Sequence, residues 1–386
     1  MSKPTLRTKF CDIMGIDYPI VSAGMGPSLI GEATGATVDL VVAVSEAGGL
    51  GVLGAAGYTV DQMQEAIREV KKQTDKPFGV DILLPAAQVE HGDVKPEDVK
   101  DIPIAEILKE RLPESHYRWF LQVKEEHKLP DLDIEIKGGS TTTRPHASIK
   151  IVLEEKVPLF CAGLGNPGFM VEEAHANGVK VLGLTGNTKN ARRVAESGAD
   201  FVVAQGHEAG GHTGRIGTMA LLPQALDACG RTPLLAAGGI GDGRALAACL
   251  AMGCAGVWVG TRFLATKESG LVDEQGQFIV NANDEDTRRS HLYTGKTSRT
   301  IYSSVHDLWE KSGLEMLPFG QQGLLASAVI GSFHKAKKYE FVGPFSGQIS
   351  GLIDEIKPAA KVVEEMVNEA VDILCNRIPD TVVAKA

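Results

Sequence analysis

Short runs of apolar and β-branched residues alternate with longer amphipathic segments along most of the chain. Eight such runs are predicted to be strands, at residues 18–22, 49–53, 78–83, 158–162, 180–184, 201–205, 233–237 and 256–260. Helical spacing of the apolar residues between them predicts parallel β/α units. Eight units, evenly spaced in the second half, indicate an α/β fold of the (β/α)8 type, a TIM barrel, rather than a doubly wound sheet.

Residues 86–147 break this rhythm. The segment is polar and charged, with helical patterns at 104–112 and 114–127 and then the run Gly138-Gly-Ser-Thr-Thr-Thr143. A structureless loop of this length is uncommon in a compact domain. We therefore predict an insertion after strand 3, on the face of the barrel that carries active sites. It could act as a lid or substrate clamp, or it could be an inert excursion or a subunit contact.

The chain accordingly divides into three predicted parts. Residues 10–85 and 148–268 form the barrel, residues 86–147 form the insertion, and residues 269–386 form a smaller, mostly helical domain on the substrate side. A helix is predicted near 358–377 in this tail. Its apolar residues could seat it on the barrel or join two copies in a homodimer; they include Val362, Val363, Met366, Val367 and Val371.

Composition narrows the class of protein. Hydrophobic residues make up 43% of the chain, which supports a large core. The net charge of −10 and the lack of a basic stripe argue against a nucleic-acid partner. No apolar run approaches the length of a membrane span and the N-terminus has no apolar leader, so we expect a cytoplasmic protein. Six cysteines without CxxC spacing are interpreted as reduced thiols.

Two glycine-rich runs follow strands 7 and 8. The first is Ala236-Ala-Gly-Gly-Ile-Gly-Asp-Gly-Arg244 and the second is Gly260-Thr-Arg-Phe263. In barrels the loops after these strands commonly bind phosphate, because glycines let backbone N–H groups approach an anion. Gly238, Gly239, Gly260 and Thr261 are therefore the predicted phosphate cradle. The alternative is that these glycines only make tight turns.

The loop after strand 6 is the richest in chemistry, with the sequence Gln205-Gly-His-Glu-Ala-Gly-Gly-His-Thr-Gly-Arg215. His212 is the predicted catalytic base or proton donor, because histidine titrates nearest neutral pH. Gly210 and Gly211 are expected to let the backbone lie flat against a planar ring. His207 is interpreted as structural. A metal site of His207, Glu208 and His212 would lack a recognised ligand spacing, so no metal is predicted.

Strand 1 ends in Ser22-Ala-Gly-Met-Gly-Pro27. Ala23 and Gly24 are small enough to admit a ligand, and Met25 could pack on a flat ring. The alternative is a glycine-rich turn with a core methionine. No GxGxxG or GxxxxGK[ST] motif supports a dinucleotide fold or a P-loop.

Several of these segments resemble the nitronate monooxygenase family, formerly the 2-nitropropane dioxygenases. That family includes flavin-dependent enoyl-acyl-carrier-protein reductases and related acyl-CoA oxidoreductases. The similar segments are residues 18–27, Glu46-Ala-Gly-Gly-Leu-Gly51, Lys76-Pro-Phe-Gly-Val80, residues 205–214, Leu221-Leu-Pro223, residues 236–243 and Gly260-Thr-Arg-Phe263, with a looser match in Tyr293-Thr-Gly-Lys-Thr-Ser-Arg299 and Gly347-Gln348. They cover most of residues 10–270, but not the insertion.

The resemblance implies a barrel with a smaller helical domain and non-covalently bound FMN. It implies a catalytic role for His212 and flavin contacts for Met25, Gln205, Gly210, Gly239, Trp258, Val259, Gly260 and Thr261. One position departs, because the family usually has Asn at the end of strand 3 and this chain has Asp81. An acid there would disfavour an anionic reduced flavin, or it could relay protons.

The resemblance leaves two activities open. In the leading hypothesis a nitronate or similar carbanion gives electrons to FMN, O2 is the acceptor, and His212 holds or removes the α-proton. In the alternative, NAD(P)H supplies the electrons, and the acceptor is an enoyl thioester of CoA or acyl carrier protein, or a quinone. A non-enzymatic binding module would leave His212 unexplained. A phosphate-binding barrel without flavin would need a nucleophilic cysteine near strand 6, and none stands there.

Overall fold

The computed structural model describes residues 4–26, 35–95, 102–132, 135–136 and 140–382. Its main sheet has eight parallel strands: β1 (Ile20–Ser22), β2 (Gly51–Gly54), β3 (Phe78–Leu83), β4 (Leu159–Gly163), β5 (Lys180–Thr185), β6 (Phe201–Gln205), β7 (Leu234–Ala237) and β8 (Gly256–Val259). Each strand pairs with its neighbour in the chain, and β8 pairs with β1. A bridge between Val21 and Leu50 closes the sheet. The predicted (β/α)8 barrel is confirmed, with strand ends that differ by one or two residues.

Alternate residues along each strand face the barrel interior and the surrounding helices, as strand geometry requires. The interior layer includes Val52, Leu182 and Trp258, whereas Val80 and Ile82 pack outward against the helices. The helix Lys9–Met14 closes the base of the barrel. Its Phe10 is fully buried and meets the Phe201 ring edge-on at 4.9 Å between centroids.

Helices follow the strands around the outside. After β1 to β7 they are Val38–Glu46, Val60–Gln73, Pro145–Glu154, Val171–Ala176 preceded by the 3-10 turn Pro167–Met170, Thr188–Glu196, Thr218–Cys229 and Gly243–Ala251. The predicted capping box of Thr59 and Gln62 is present at the second helix. Caps of this kind stabilise a helix start because they satisfy amides that have no partner within the helix.

The eighth outer helix comes from the C-terminal tail. Helix Ala359–Asp372 packs between Gly243–Ala251 and Val38–Glu46, with Val362, Val363, Met366 and Val367 buried. The Glu369 carboxylate accepts a hydrogen bond from the Gly243 amide at 2.9 Å. The apolar face of this helix was predicted either to pack on the barrel or to join two copies of the chain. The structure shows that it packs on the barrel. The π-helix Ile373–Arg377 and the helix Ile378–Thr381 follow it.

The insertion and the rest of the tail share a second hydrophobic core, which we call the cap unit. It joins the insertion helices Ile104–Arg111 and Glu114–Glu126 to the tail helices Ser304–Ser312 and Gln321–Lys335. Trp119 and Trp309 meet edge-on at 5.2 Å between ring centroids. The two predicted insertion helices are confirmed, and the structure adds that they pack against the tail. Gly138 and Gly139, like Pro27, lie outside the described residues.

A small antiparallel sheet ties the tail to the barrel. Strands β9 (Thr287–Ser290) and β10 (Ser298–Ile301) form a hairpin, and β10 also pairs with the two-residue strand Gly211–His212. The remaining elements are the helices Ala86–His91, Thr261–Leu264 and Asp273–Asn281, the 3-10 turns Tyr339–Phe341 and Gln348–Leu352, and the paired strands Ile102–Pro103 and Glu135–Ile136. Among the described residues, no helix is both long and apolar enough to cross a membrane.

We predict that Phe10→Ala destabilises the barrel because it leaves a cavity at the closed base. The free energy of unfolding should fall by about 3–5 kcal/mol. Ile13→Ala is the matched control, because Ile13 lies in the same helix with 37% of its surface exposed, and it should cost less than about 1 kcal/mol. Urea unfolding followed by circular dichroism measures both. Equal losses in the two variants would show that the base does not depend on Phe10.

Candidate functional site

The polar side chains of the barrel interior lie at the rim that is formed by the carboxyl ends of the strands. Asp81 on β3 and Gln205 on β6 take inward positions there, in register with the inner layer below them. The Gln205 amide donates to the backbone carbonyl of His212 at 2.6 Å. Gln205 thus connects the interior of the barrel to the loop after β6.

Hydrogen bonds on both sides fix the loop after β6. The Glu208 carboxylate accepts from the Thr218 amide at 2.9 Å and from the Thr218 hydroxyl at 2.8 Å. The Arg299 guanidinium, buried on β10, donates to the His207 carbonyl at 3.0 Å and to His207 Nδ1 at 3.2 Å. His207 and Glu208 are therefore occupied by structural bonds. The described residues contain no group of three or more His, Cys, Asp or Glu arranged to hold a metal ion.

His212 is surrounded by residues of the tail. Its Nε2 lies 2.9 Å from the Thr294 hydroxyl, and its ring centroid lies 6.4 Å from that of Phe319. The Lys296 ammonium lies 4.2 Å from the centroid of the Phe319 ring. A base, an aromatic ring and a cation therefore share one side of the barrel mouth.

Burial lowers the pKa of His212 to about 4, and the positive charge of Lys296 lowers it further in the same direction. Both effects oppose the imidazolium form, because a cation loses solvation when buried and is repelled by another cation. His212 is thus a neutral imidazole at pH 7. The ordinary pKa of histidine, on which the prediction from the sequence was based, therefore does not apply to His212.

The two parts of the predicted phosphate cradle follow neighbouring strands, β7 and β8. Gly238 and Gly239 adopt left-handed backbone angles, with φ of 89° and 75°, which residues with a side chain rarely adopt. In the described part of the chain, no backbone carbonyl accepts from the amides of Gly239 or Ile240. The short helix Thr261–Leu264 starts directly after β8, in the arrangement in which barrels bind phosphate. These amides fit a phosphate group.

A tail segment lies across this cradle. The Gly347 amide donates to the Thr261 hydroxyl at 2.9 Å, and the Gln348 amide donates to the Glu208 carbonyl at 2.9 Å. A Cβ at Gly210 would lie 2.7 Å from the backbone carbon of Ser346. The tail is therefore the reason for a glycine at position 210, whereas Gly211 has a positive φ of 69° and open space beside it.

The end of β1 lines the mouth next to the end of β8, with which it pairs. The Ala23 amide donates to the Val259 carbonyl at 2.9 Å, and the Met25 sulfur would lie 3.7 Å from a Cβ built on Gly260. Trp258 faces the interior layer. Val259 instead packs outward against the helices, so only its backbone can reach a ligand.

Asp81 is the buried acid of the mouth. A Cβ at Gly24 would lie 2.4 Å from the Asp81 Cβ, so the glycine makes room for the acid. No hydrogen-bond partner for Asp81 Oδ1 is found among the described residues. Burial raises the pKa of Asp81 well above its ordinary value, and a hydrogen bond from the Gly163 backbone opposes this only in part. A buried, unsatisfied carboxyl oxygen at the mouth fits a polar ligand bound there.

The sequence analysis did not assign roles to Thr294, Lys296, Arg299 or Phe319, which complete the site. Their positions depend on how the tail folds back onto the loop after β6. The one signal that could have found them was the run from Tyr293 to Arg299, which belongs to the looser part of the resemblance.

Comparison with known proteins identifies the family. The model of the nitronate monooxygenase family matches residues 7–369. The chain therefore belongs to this family, and it is a flavin-dependent oxidoreductase. The resemblance found in the sequence is confirmed.

Three relatives show the range of the family. The (3aS,4S,5R,7aS)-5-hydroxy-7a-methyl-1-oxo-octahydro-1H-indene-4-carboxyl-CoA dehydrogenase of Rhodococcus jostii is 32% identical over 332 residues, which are 86% of this chain and 74% of that protein. Nitroalkane oxidase from Streptomyces ansochromogenes superposes with a TM-score of 0.75 at 28% identity, covering 94% of this chain and 98% of that one. FabK from Thermotoga maritima gives a TM-score of 0.72 at 29% identity, covering 98% and 100%.

We predict that His212 titrates with a midpoint near pH 4, because it is buried beside Lys296. Histidine NMR signals would be assigned by comparison with His212→Gln, with circular dichroism confirming the fold at each pH. Lys296→Met should raise the midpoint only in part, since burial is the larger cause. A wild-type midpoint at the ordinary value of 6.5 would contradict the assignment.

Proposed function

We propose that the chain uses FMN to oxidise a nitronate or a similar carbanion, with O2 as the electron acceptor. The observation that carries this proposal is the neutral His212 beside the cation of Lys296. A neutral imidazole has no surplus proton with which to quench a carbanion, while an ammonium group attracts it. The site is therefore suited to a substrate that reacts as an anion.

FMN fits the described residues. Its phosphate would lie against the amides of Gly239 and Ile240 and the start of helix Thr261–Leu264. Its ring system would be held at the barrel mouth, where Met25 and Gly211 are available to contact it. When bound, FMN supplies the redox chemistry, because protein side chains cannot carry the electrons themselves.

The protein side chains bind the substrate and handle its proton. Lys296 attracts the anionic group, and Phe319, 44% exposed, offers an apolar surface beside it. With a neutral nitroalkane, His212 would have to remove the α-proton first. Its low pKa makes it a weak base, so we expect a preformed nitronate to be the better substrate.

We predict that the FMN-loaded protein consumes O2 with alkyl nitronates. His212→Gln should lower turnover of the neutral nitroalkane by about 10²- to 10⁴-fold and turnover of the nitronate much less, because the nitronate has already lost its proton. Lys296→Met should raise KM for the nitronate more than it lowers kcat. An oxygen electrode measures O2 consumption by the wild type and by both variants.

The control is His175→Gln, because His175 pairs with Asp200 at 2.8 Å on the outer surface of the barrel. It should leave both rates unchanged. If FMN binds but no nitronate is turned over, the proposed substrate class is wrong.

A second candidate is the reduction of an enoyl thioester by NAD(P)H. Two observations favour it: the Rhodococcus jostii relative is named for an acyl-CoA, and the tail places the exposed Phe319 beside His212, with 6.4 Å between their ring centroids. An apolar rim of this kind could receive an acyl chain. In the reduction of an enoyl thioester, His212 must donate a proton. Because its pKa is low, little of His212 is protonated at neutral pH.

Anaerobic reduction distinguishes the two activities. For the nitronate reaction we expect NADPH to reduce the bound flavin slowly or not at all, as followed by its visible absorbance. Rapid reduction by NADPH and reoxidation by crotonyl-CoA would instead establish the reductase. The same experiment is repeated with NADH as the electron donor and with a quinone as the electron acceptor.

A further inference from the structure

Asp81 lies where a bound flavin would meet the barrel, yet nothing in the described structure neutralises its charge. The side chain is 8% exposed, and it forms none of the ion pairs found among the described residues. Its Oδ1 atom is buried and has no hydrogen-bond partner in the part of the chain that the structure describes. An isolated carboxylate in such a place is strongly disfavoured, and buried acids normally bind a proton instead.

The neighbours of Asp81 do not change this conclusion. On β4, the closest titratable group is the Cys161 thiol, and burial together with Asp81 raises its pKa well above the ordinary value. The Gly24 and Gly163 backbones pack against the acid from β1 and β4. Desolvation raises the pKa of Asp81, and the hydrogen bond from the Gly163 backbone lowers it. No charged group among the described residues contributes to the shift.

We propose that Asp81 carries a proton at neutral pH and donates a hydrogen bond from this carboxyl group to the bound flavin. The inference rests on the proposed FMN cofactor. A protonated carboxyl has one donor and one acceptor oxygen, so it can replace the side-chain amide of an asparagine, which is the residue that the family resemblance predicts here. The acid would then leave the reduced flavin free of a neighbouring negative charge.

This assignment differs from the expectation raised by the sequence. An ionised Asp81 would disfavour an anionic reduced flavin by charge repulsion. A protonated Asp81 instead presents a dipole, and its O–H can point at a ring oxygen or nitrogen. Asp81 then acts as a flavin-binding residue that resembles asparagine, and repulsion appears only when the pH is high enough to ionise it.

The first test measures the proton directly, without flavin. An infrared difference spectrum of wild-type protein minus Asp81→Asn at pH 7 should show the carbonyl stretch of a protonated carboxyl. Asp93→Asn is the control, because Asp93 lies at the surface of the insertion, where its carboxylate accepts from the amides of His146 and Ala147. A carboxylate band for Asp81 at pH 7 would overturn the proposal.

The second test measures the donated hydrogen bond through FMN affinity, by flavin fluorescence. At pH 7, Asp81→Asn should bind FMN within about 3-fold of wild type, while the similarly shaped Asp81→Leu should bind about 2- to 12-fold more weakly, the range for one hydrogen bond. At higher pH the wild-type affinity should fall and that of Asp81→Asn should not. Equal affinity of wild type and Asp81→Leu at pH 7 would overturn the donor role.

The two tests separate this inference from the proposed function. If the chain binds no FMN, both the cofactor and the donor role fail, although the infrared band still decides whether Asp81 is protonated. If FMN binds and Asp81 behaves as described while nitronates are not oxidised, the substrate proposal alone fails.

Discussion

Closure of the eight-stranded sheet is the constraint on which the site depends. β1 has only three residues, and it must pair with β8 through Ile20–Ser22 while bridging β2 at Leu50. Because all eight strands are parallel, closure brings their carboxyl ends to one rim. Asp81 on β3 precedes the loop after β6 and the glycines after β7 by more than 100 residues in the chain. All three lie on one rim because the barrel is closed.

The reactivity of His212 depends on residues from outside the barrel. β10 pairs with Gly211–His212, Thr294 lies beside the imidazole, and Lys296 adds its charge. The buried Arg299 links the same hairpin to the His207 carbonyl. The tail therefore contributes to the environment that lowers the pKa of His212.

The sequence predicted most of the barrel because its signals are local. Apolar runs, capping residues such as Thr59 and Gln62, and glycines at strand ends depend on neighbours a few residues away. The cap unit was not predictable in this way, since Trp119 and Trp309 are partners across 190 positions. Helical patterns showed that both segments have apolar faces, but not which face meets which. The pKa of His212 and the role of Gly210 were missed for the same reason, because both depend on the tail.

Asp81 and His212, two of the titratable side chains at the mouth, are both driven toward their neutral forms. Burial raises the pKa of Asp81 and lowers that of His212, as desolvation does for an acid and a base respectively. The chain carries a net charge of −10, yet the charge nearest His212 is the positive Lys296. If Asp81 is protonated as proposed, an anion that enters the mouth meets a cation and two neutral groups in a weakly solvated space, where the attraction of that cation is stronger than in water. In this way an acidic protein would present the anion-binding site that the proposed function requires.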